Sequence, residues 1–195
     1  DVRRTVDGWD LSACRSCGFL YAPVVRTNTA TEVDVPVDHE PVWRARHRQV
    51  HQLLTTLLPP GEVVVDVGAG FGELGLVAAD AGRFTYVGFE PSASIAAAAR
   101  RRGVDMRAEM FTVDSLPGPV GAVVLDNVIE HVADPVGLLC DCTAALRPGG
   151  VLVVIVPNRH DVRRAVPSWR DANHWIPPEH VNYFPPASLR RAFAE

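Results

Sequence analysis

At 195 residues the chain is long enough for one well-buried domain with a small appendage and too short for two full domains. Its 47% hydrophobic and 22% charged residues are those of an ordinary globular protein, which excludes a disordered chain. A formal net charge of -4 excludes a sequence-independent nucleic-acid binder, which needs a basic face to release counterions from phosphates.

The start, "DVRRTVDGWD", lacks the apolar run of a signal peptide, and no stretch approaches the ~20 apolar residues of a membrane helix, so a cytoplasmic protein with no membrane partner is expected. Cys14 and Cys17 in "CRSCG" have the spacing of half a structural zinc site, because two thiolates three apart on a tight turn reach one metal. Two further ligands are needed. Cys140 and Cys142 read as residues of a core helix, and His39, His47 and His51 are no better placed to supply them. Disulfides are not expected in a cytosolic chain. Residues 25 to 41 are polar and carry proline, which divides the chain into a Cys-containing segment with its linker, 1–41, and a main domain, 42–195.

From Val42 to Leu58, apolar residues recur at helical spacing (Val50, Leu53, Leu54, Leu57, Leu58), and "PPG" at 59–61 ends the helix. Strand-like runs follow at 62–67, 84–89, 104–108, 120–126 and 150–156, separated by helical stretches at about 72–81, 92–102 and 134–146. Strands as continuously apolar as "VLVVIV" belong to a parallel sheet covered on both faces, so the pattern predicts a doubly wound, Rossmann-like α/β sheet. Arg100 to Arg102 read as the solvated end of a helix. After Val156 comes a long stretch rich in Pro, His and aromatics, of a length (over ~15 residues) that in a compact domain is usually functional. A last helix begins at Pro186 or Ala187.

The chemistry is concentrated in "VVVDVGAGFGELG". An acid, Asp66, ends the first strand, and Gly68, Gly70 and Gly72 then give a loop whose backbone can approach a flat ligand closely. A dinucleotide fingerprint would read G-x-G-x-x-G directly from the strand. Counted from Gly68 the third glycine is replaced by Glu73; counted from Gly70 the pattern runs to Gly75 but starts too late. Glu73 also puts a negative charge in the first helical turn, where a pyrophosphate would be repelled. S-adenosylmethionine, with a sulfonium and an ammonium, tolerates such acids. Twenty residues after Gly70 the second strand ends in Glu90, the position from which a carboxylate accepts hydrogen bonds from both ribose hydroxyls.

Together "VVVDVGAGFG", "YVGFEPS", "AVVLDNVIEHVADP", "LRPGGVLVVIVPN" and "PPEHVNYF" resemble the class I S-adenosylmethionine-dependent methyltransferases over roughly residues 45 to 195. The resemblance implies that Asp66, Gly68 and Gly70 contact the methionine and sugar, that Glu90 is the ribose acid, that Glu109 and Met110 border the adenine, and that Asn127 lines the cofactor site. It also implies seven strands, and the sequence stops before the last, antiparallel pair, so a chain trimmed at both ends is expected. The "EHV" at 130–132 is familiar in this group; Glu130 and His131 are expected to hydrogen-bond the turn before the helix at Pro135 rather than to catalyse.

Methyl transfer is an in-line displacement at a sulfonium, so holding the nucleophile at near-attack distance supplies most of the acceleration and one base near neutrality helps. His180 in "PPEHVNYF" is the candidate base, ahead of His174. The Cys element with "EH" before "YF" also looks like the sugar C-methyltransferases of antibiotic pathways, in which Glu179 and His180 match an assisting acid and the base. Pro177 stands where that group has a tyrosine, which argues against a sugar carbon as acceptor. The expected activity is methyl transfer to the oxygen, carbon or nitrogen of a small-molecule acceptor in a biosynthetic pathway. A nicotinamide-dependent oxidoreductase and a non-catalytic cofactor-binding module are the competing readings.

Overall fold

The computed structural model describes residues 2–6, 9–23, 40–161 and 180–193, with side chains for 10–23, 44–161 and 180–193. The chain folds as two compact units, each drawn from separate segments: residues 30–126 with 139–154, and residues 1–29 with 127–138 and 155–195. Among the described residues no helix is long and apolar enough to cross a membrane.

The first unit holds the α/β fold expected from the alternating pattern. Helix α1 (Glu40–Leu57) precedes β4 (Val63–Val67), α2 (Glu73–Ala81), β5 (Thr85–Phe89), α3 (Ala93–Arg101), β6 (Met106–Arg107) and β7 (Val120–Asp126); α4 (Pro135–Ala144) and β8 (Leu146–Ile155) complete it. The strands form a five-stranded sheet in the order β6-β5-β4-β7-β8, with β4–β5, β4–β7 and β5–β6 paired in parallel. Burial accounts for the apolar strands: Val64 and Val65 in β4 and Ala122 to Leu125 in β7 are shielded on both faces, as the central strands of a covered parallel sheet must be. On α1 only one row of the apolar residues is inward. Val50, Leu54 and Leu58, four apart, are buried, whereas Leu53 and Leu57 are exposed. Arg100 and Arg101 are exposed in the last turn of α3, as expected of a helix end, and Arg100 Nε also donates to the Met106 carbonyl at 2.7 Å; Arg102, half-buried, donates to the Phe71 carbonyl at 3.0 Å.

The second unit contains a sheet for which the sequence pattern gave no strands. β1 (Val2–Val6), β2 (Trp9–Ala13), β3 (Leu20–Tyr21) and β9 (Asn182–Tyr183) pair in that order, all antiparallel. The signal for its first hairpin is present, since the Val6–Trp9 pair encloses Asp7-Gly8, a dipeptide suited to a two-residue turn. β3 and β9 are two residues each, too short for any alternation to register, and they pair across most of the chain's length. Leu11, Ala13, Leu20 and Tyr183 form the small core. Phe19 stacks on Tyr21 and packs against Phe184. Helix α5 (Pro186–Ala192) begins with proline at its first turn, where no N–H is needed.

Gly72 and Gly75 let α2 approach the sheet. A Cβ on Gly75 would lie 2.6 Å from Tyr86 Cε1 and 2.7 Å from Val104 Cγ1, and one on Gly72 would lie 2.8 Å from Val104 Cγ1. Gly75→Ala is therefore expected to cost about 1–3 kcal/mol by overpacking. Gly118→Ala, where an added Cβ meets nothing within 4 Å, is the control and should change little. Equal denaturation midpoints for the two variants would refute the packing role.

Candidate functional site

At the carboxyl end of β4 the chain leaves the strand through Gly68 (φ 68°) and Gly70 (φ 53°), both in the left-handed region that glycine enters without strain. The amides of Gly68 and Ala69 donate to the Phe89 carbonyl, at 2.8 and 3.0 Å, which folds the bend against the end of β5. Gly70 differs from its neighbours: a Cβ there would meet no protein atom within 4 Å. The bend is thus shaped by backbone angle and open on its outer side. Gly72 and Gly75, by contrast, are taken up by packing, so the four glycines of "GAGFGELG" divide between an open bend and a helix seat.

Glu90 joins this bend. Its Oε2 accepts from the Gly70 amide at 3.1 Å and its Oε1 from the Ser92 amide at 2.8 Å, while the Ser92 hydroxyl caps α3 through the Ile95 amide. A carboxylate offers about four lone-pair sites. The two amides use one on each oxygen, which leaves one on each, and that is the acceptor pair a vicinal diol requires.

Asp66, one strand over, is buried and accepts from the Tyr86 hydroxyl at 2.8 Å. Burial pushes its carboxyl up to about 7; the tyrosine bond opposes this, and the charges of Asp126 and Glu90 add to it. Tyr86 went unnoticed in the sequence because a tyrosine inside a strand reads simply as core. Asp126, at the end of β7, is bonded by Arg46 and has His47 Nε2 at 3.5 Å, both from α1. Burial still holds its carboxyl above the usual range, against the pull of those two bases.

Glu73 corrects one step of the sequence argument. Its carboxylate is paired with Arg102 at 2.5 Å, and Arg44 stands at 3.8 Å. The charge at the start of α2 is compensated, so it presents little repulsion to a pyrophosphate. The electrostatic preference passes to Asp66 and Glu90, whose mutual repulsion a cationic ligand relieves and an anionic one worsens.

Glu109 and Met110 follow β6 and are exposed, Met110 to 65%, an unusual position for a large apolar side chain. Asn127 directly follows β7 and has φ 56°, the one described non-glycine residue in the left-handed region. Its amide donates to the Ile155 carbonyl at 2.8 Å. A side chain held in this conformation marks a position whose backbone direction is fixed by its surroundings.

Cys14 and Cys17 lie on a turn closed by the Gly18 amide on the Cys14 carbonyl, at 3.0 Å. The Ser16 hydroxyl, 3.1 Å from Cys14 Sγ, together with nearby groups of Cys17, lowers the Cys14 thiol to about 6. Among the described residues no third Cys, His, Asp or Glu joins them as a ligand group. Cys142 is an inert core thiol, pushed up to about 12 by burial.

Two motifs that looked independent meet in the second unit. The amides of Val181 and Asn182 both donate to the Glu130 carbonyl, at 2.8 and 3.0 Å, and Asn182 Nδ2 donates to the carbonyls of Ile129 (3.0 Å) and Val132 (2.7 Å). This clasp brings His180 beside His131, rings edge to face with centroids 4.6 Å apart. Glu130 is 1% exposed, with His131 Nε2 at 3.9 Å from its Oε1. The start of α4 is capped by Asp134, whose Oδ1 accepts from the Gly137 amide at 2.9 Å. Glu179 and His174 lie outside the described residues.

The model of one protein family, a methyltransferase domain, matches residues 42–195. The ubiquinone biosynthesis O-methyltransferase of Parvibaculum lavamentivorans is 35% identical over 105 residues, which are 49% of this chain and 40% of that one. The chain spans about half the length, or less, of the curated relatives it matches most strongly. In fold it is similar to an S-adenosylmethionine-dependent methyltransferase from Archaeoglobus fulgidus (TM-score 0.65, 18% identity, 80% of this chain and 67% of that one). It is also similar to the 4+2 cyclase SpnF (TM-score 0.58, 22% identity, 75% and 56%), so the fold alone does not name a reaction. The strand order, the glycine bend and the match from residue 42 to 195 together place this chain in the methyltransferase-domain family.

Proposed function

We propose that the chain binds S-adenosylmethionine and transfers its methyl group to a small-molecule acceptor. The observation that carries the reading is the hydrogen bond from the Gly70 amide to Glu90, which ties an open glycine bend to a carboxylate with two acceptor sites to spare. The cofactor supplies an electrophilic methyl group on a sulfonium. The remaining work belongs to the chain. Gly68 and Gly70 leave backbone bare for the sugar and methionine, Glu90 receives the ribose hydroxyls, and Asp66 holds the methionine ammonium. Glu109 and Met110 border the adenine, and Asn127 lines the cofactor site.

His180, assisted by Glu179, takes the proton of the acceptor. The relative named as an O-methyltransferase favours oxygen among the possible acceptor atoms. Cys14 and Cys17 form half the ligand set of a structural zinc whose other ligands lie outside the described residues. The setting we propose is cytoplasmic, with no nucleic-acid or membrane partner.

Glu90→Gln should weaken S-adenosylmethionine binding by about tenfold to a hundredfold in calorimetry, the loss of one hydrogen bond to a charged group at ~1.5–3 kcal/mol. Heat with NAD and none with S-adenosylmethionine would replace the reading with an oxidoreductase.

Asp66 sets the pH dependence. Its folded carboxyl, at about 7, binds a proton that the unfolded chain releases near the ordinary aspartate value of 3.8, so between those values stability of the free chain falls as pH rises. Binding of a cation runs the other way, because it requires the ionised carboxylate. Affinity should rise by up to about tenfold per pH unit on approaching 7 and level off above it. Asp66→Asn should bind more weakly with a flat profile; a wild-type profile that is equally flat would remove Asp66 from the ammonium.

His180→Ala should leave cofactor affinity intact and lower turnover by about 10²–10⁴, the range of a lost general base. Unchanged turnover would remove His180 from the mechanism. Cofactor binding without transfer to any acceptor would favour a non-catalytic module.

A further inference from the structure

We propose that Glu130, His131 and His180 form a binding site for a divalent cation of the zinc class. One ligand atom of each residue lies within 4.8 Å of the other two. Zinc–ligand bonds of about 2.0–2.1 Å put neighbouring ligand atoms roughly 3.4 Å apart in a tetrahedron, so the three side chains close on an ion with movements of about an ångström. Two imidazoles and one carboxylate are a recurrent set for a metal that keeps open positions, and the mixture of N and O donors suits Zn²⁺ or Fe²⁺ better than Mg²⁺ or Ca²⁺.

The site is built rather than accidental. Both segments that carry the ligands are pinned to each other: the Glu130 carbonyl takes two amides from the 181–182 strand, and Asn182 bonds the carbonyls on either side of the Glu130–His131 pair. Tyr183, one residue further on, belongs to the small apolar core. The Glu130 carboxyl is 1% exposed, and a divalent ion shared with two imidazoles is well matched to a carboxylate in such a setting. His131 is the open side of the cluster, its side chain 40% exposed, so an ion would have a route in and positions free for water or an acceptor oxygen.

This deepens the proposed role of His180 and, for its link to methyl transfer, rests on that reading; metal binding itself does not. With the ion in place His180 would serve as its ligand in place of acting as the base; an acceptor hydroxyl on the ion would be acidified by its Lewis acidity and would lose its proton to solvent water on the exposed His131 side. The expected acceptor is then an oxygen nucleophile.

The test uses the whole chain with Cys14→Ser and Cys17→Ser, so that thiolates do not contribute. Zn²⁺ should bind with a stoichiometry of one in calorimetry, and bound Co²⁺ should develop a visible absorption spectrum that Zn²⁺ displaces. His131→Ala in the same background, at an exposed position that leaves the fold intact, should weaken Zn²⁺ by at least about tenfold, the scale on which even outer-shell changes act. S-adenosylmethionine affinity should be unchanged in it. Absence of Zn²⁺ binding, or equal affinity with and without His131, overturns the metal site while leaving the methyltransferase reading standing. One Zn²⁺ lost with His131, in a chain that never binds S-adenosylmethionine, upholds the site and overturns its link to methyl transfer.

Discussion

The interaction on which the first unit turns is the crowding of buried carboxylates at the ends of its parallel strands. Asp66 is the penultimate residue of β4, Glu90 follows directly on β5 and Asp126 ends β7, and all three are shielded from water or nearly so. Each is dealt with differently. Asp126 is met by the bases Arg46 and His47 from α1, and Glu90 by the backbone amides of Gly70 and Ser92. Asp66 is met by a neutral hydroxyl, and the two other acids raise its carboxyl further. Of the three it is the one for which no basic side chain is the first partner, which is why the proposed site favours a cation over a pyrophosphate.

The glycines serve that arrangement in two ways that their spacing alone hides. Gly72 and Gly75 hold α2 against Val104 and Tyr86, and Tyr86 in turn donates to Asp66. Gly70 has open space around its missing side chain and gives its amide to Glu90. Packing beneath the bend and hydrogen bonding above it are thus connected through one tyrosine. An alanine at 75 would disturb the acid two elements away, without touching any ligand, because the tyrosine has no other place to go in a close-packed interior.

Much of the first unit was legible because its signals are local. Continuous apolar runs, helical periods and Gly or Pro stops lie within ten residues of one another, and strand and helix limits fall within two residues of expectation for β4, β5, β7, α2, α3 and α4. The second unit was opaque for the opposite reason. β3 and β9 are two-residue strands whose pairing of Leu20 with Tyr183 no local pattern can announce. The pairing states of acids were equally hidden: Glu73 looks like a bare charge until Arg102, far along the chain, is found beside it. Asp134 caps α4, a role that an Asp just before Pro announces locally.

A fold shared with both a methyltransferase and a 4+2 cyclase leaves the reaction to side chains outside the common sheet. In this chain the side chains proposed to activate an acceptor, His180 and the Glu130–His131 pair, belong to the second unit, which is assembled from three separate stretches of sequence. Its decisive feature is the Asn182 clasp. An asparagine offers two amide protons, and here both bond carbonyls of the Ile129–Val132 turn, so the turn and the strand after His180 hold one geometry. A histidine placed on an untethered segment would cost conformational entropy each time it was brought to bear. Next to a residue whose side chain is so fixed, His180 would be positioned, in the role proposed for it, before any substrate arrives. That preorganisation is what a group acting on a reacting atom requires, whether it acts through a proton or through a metal.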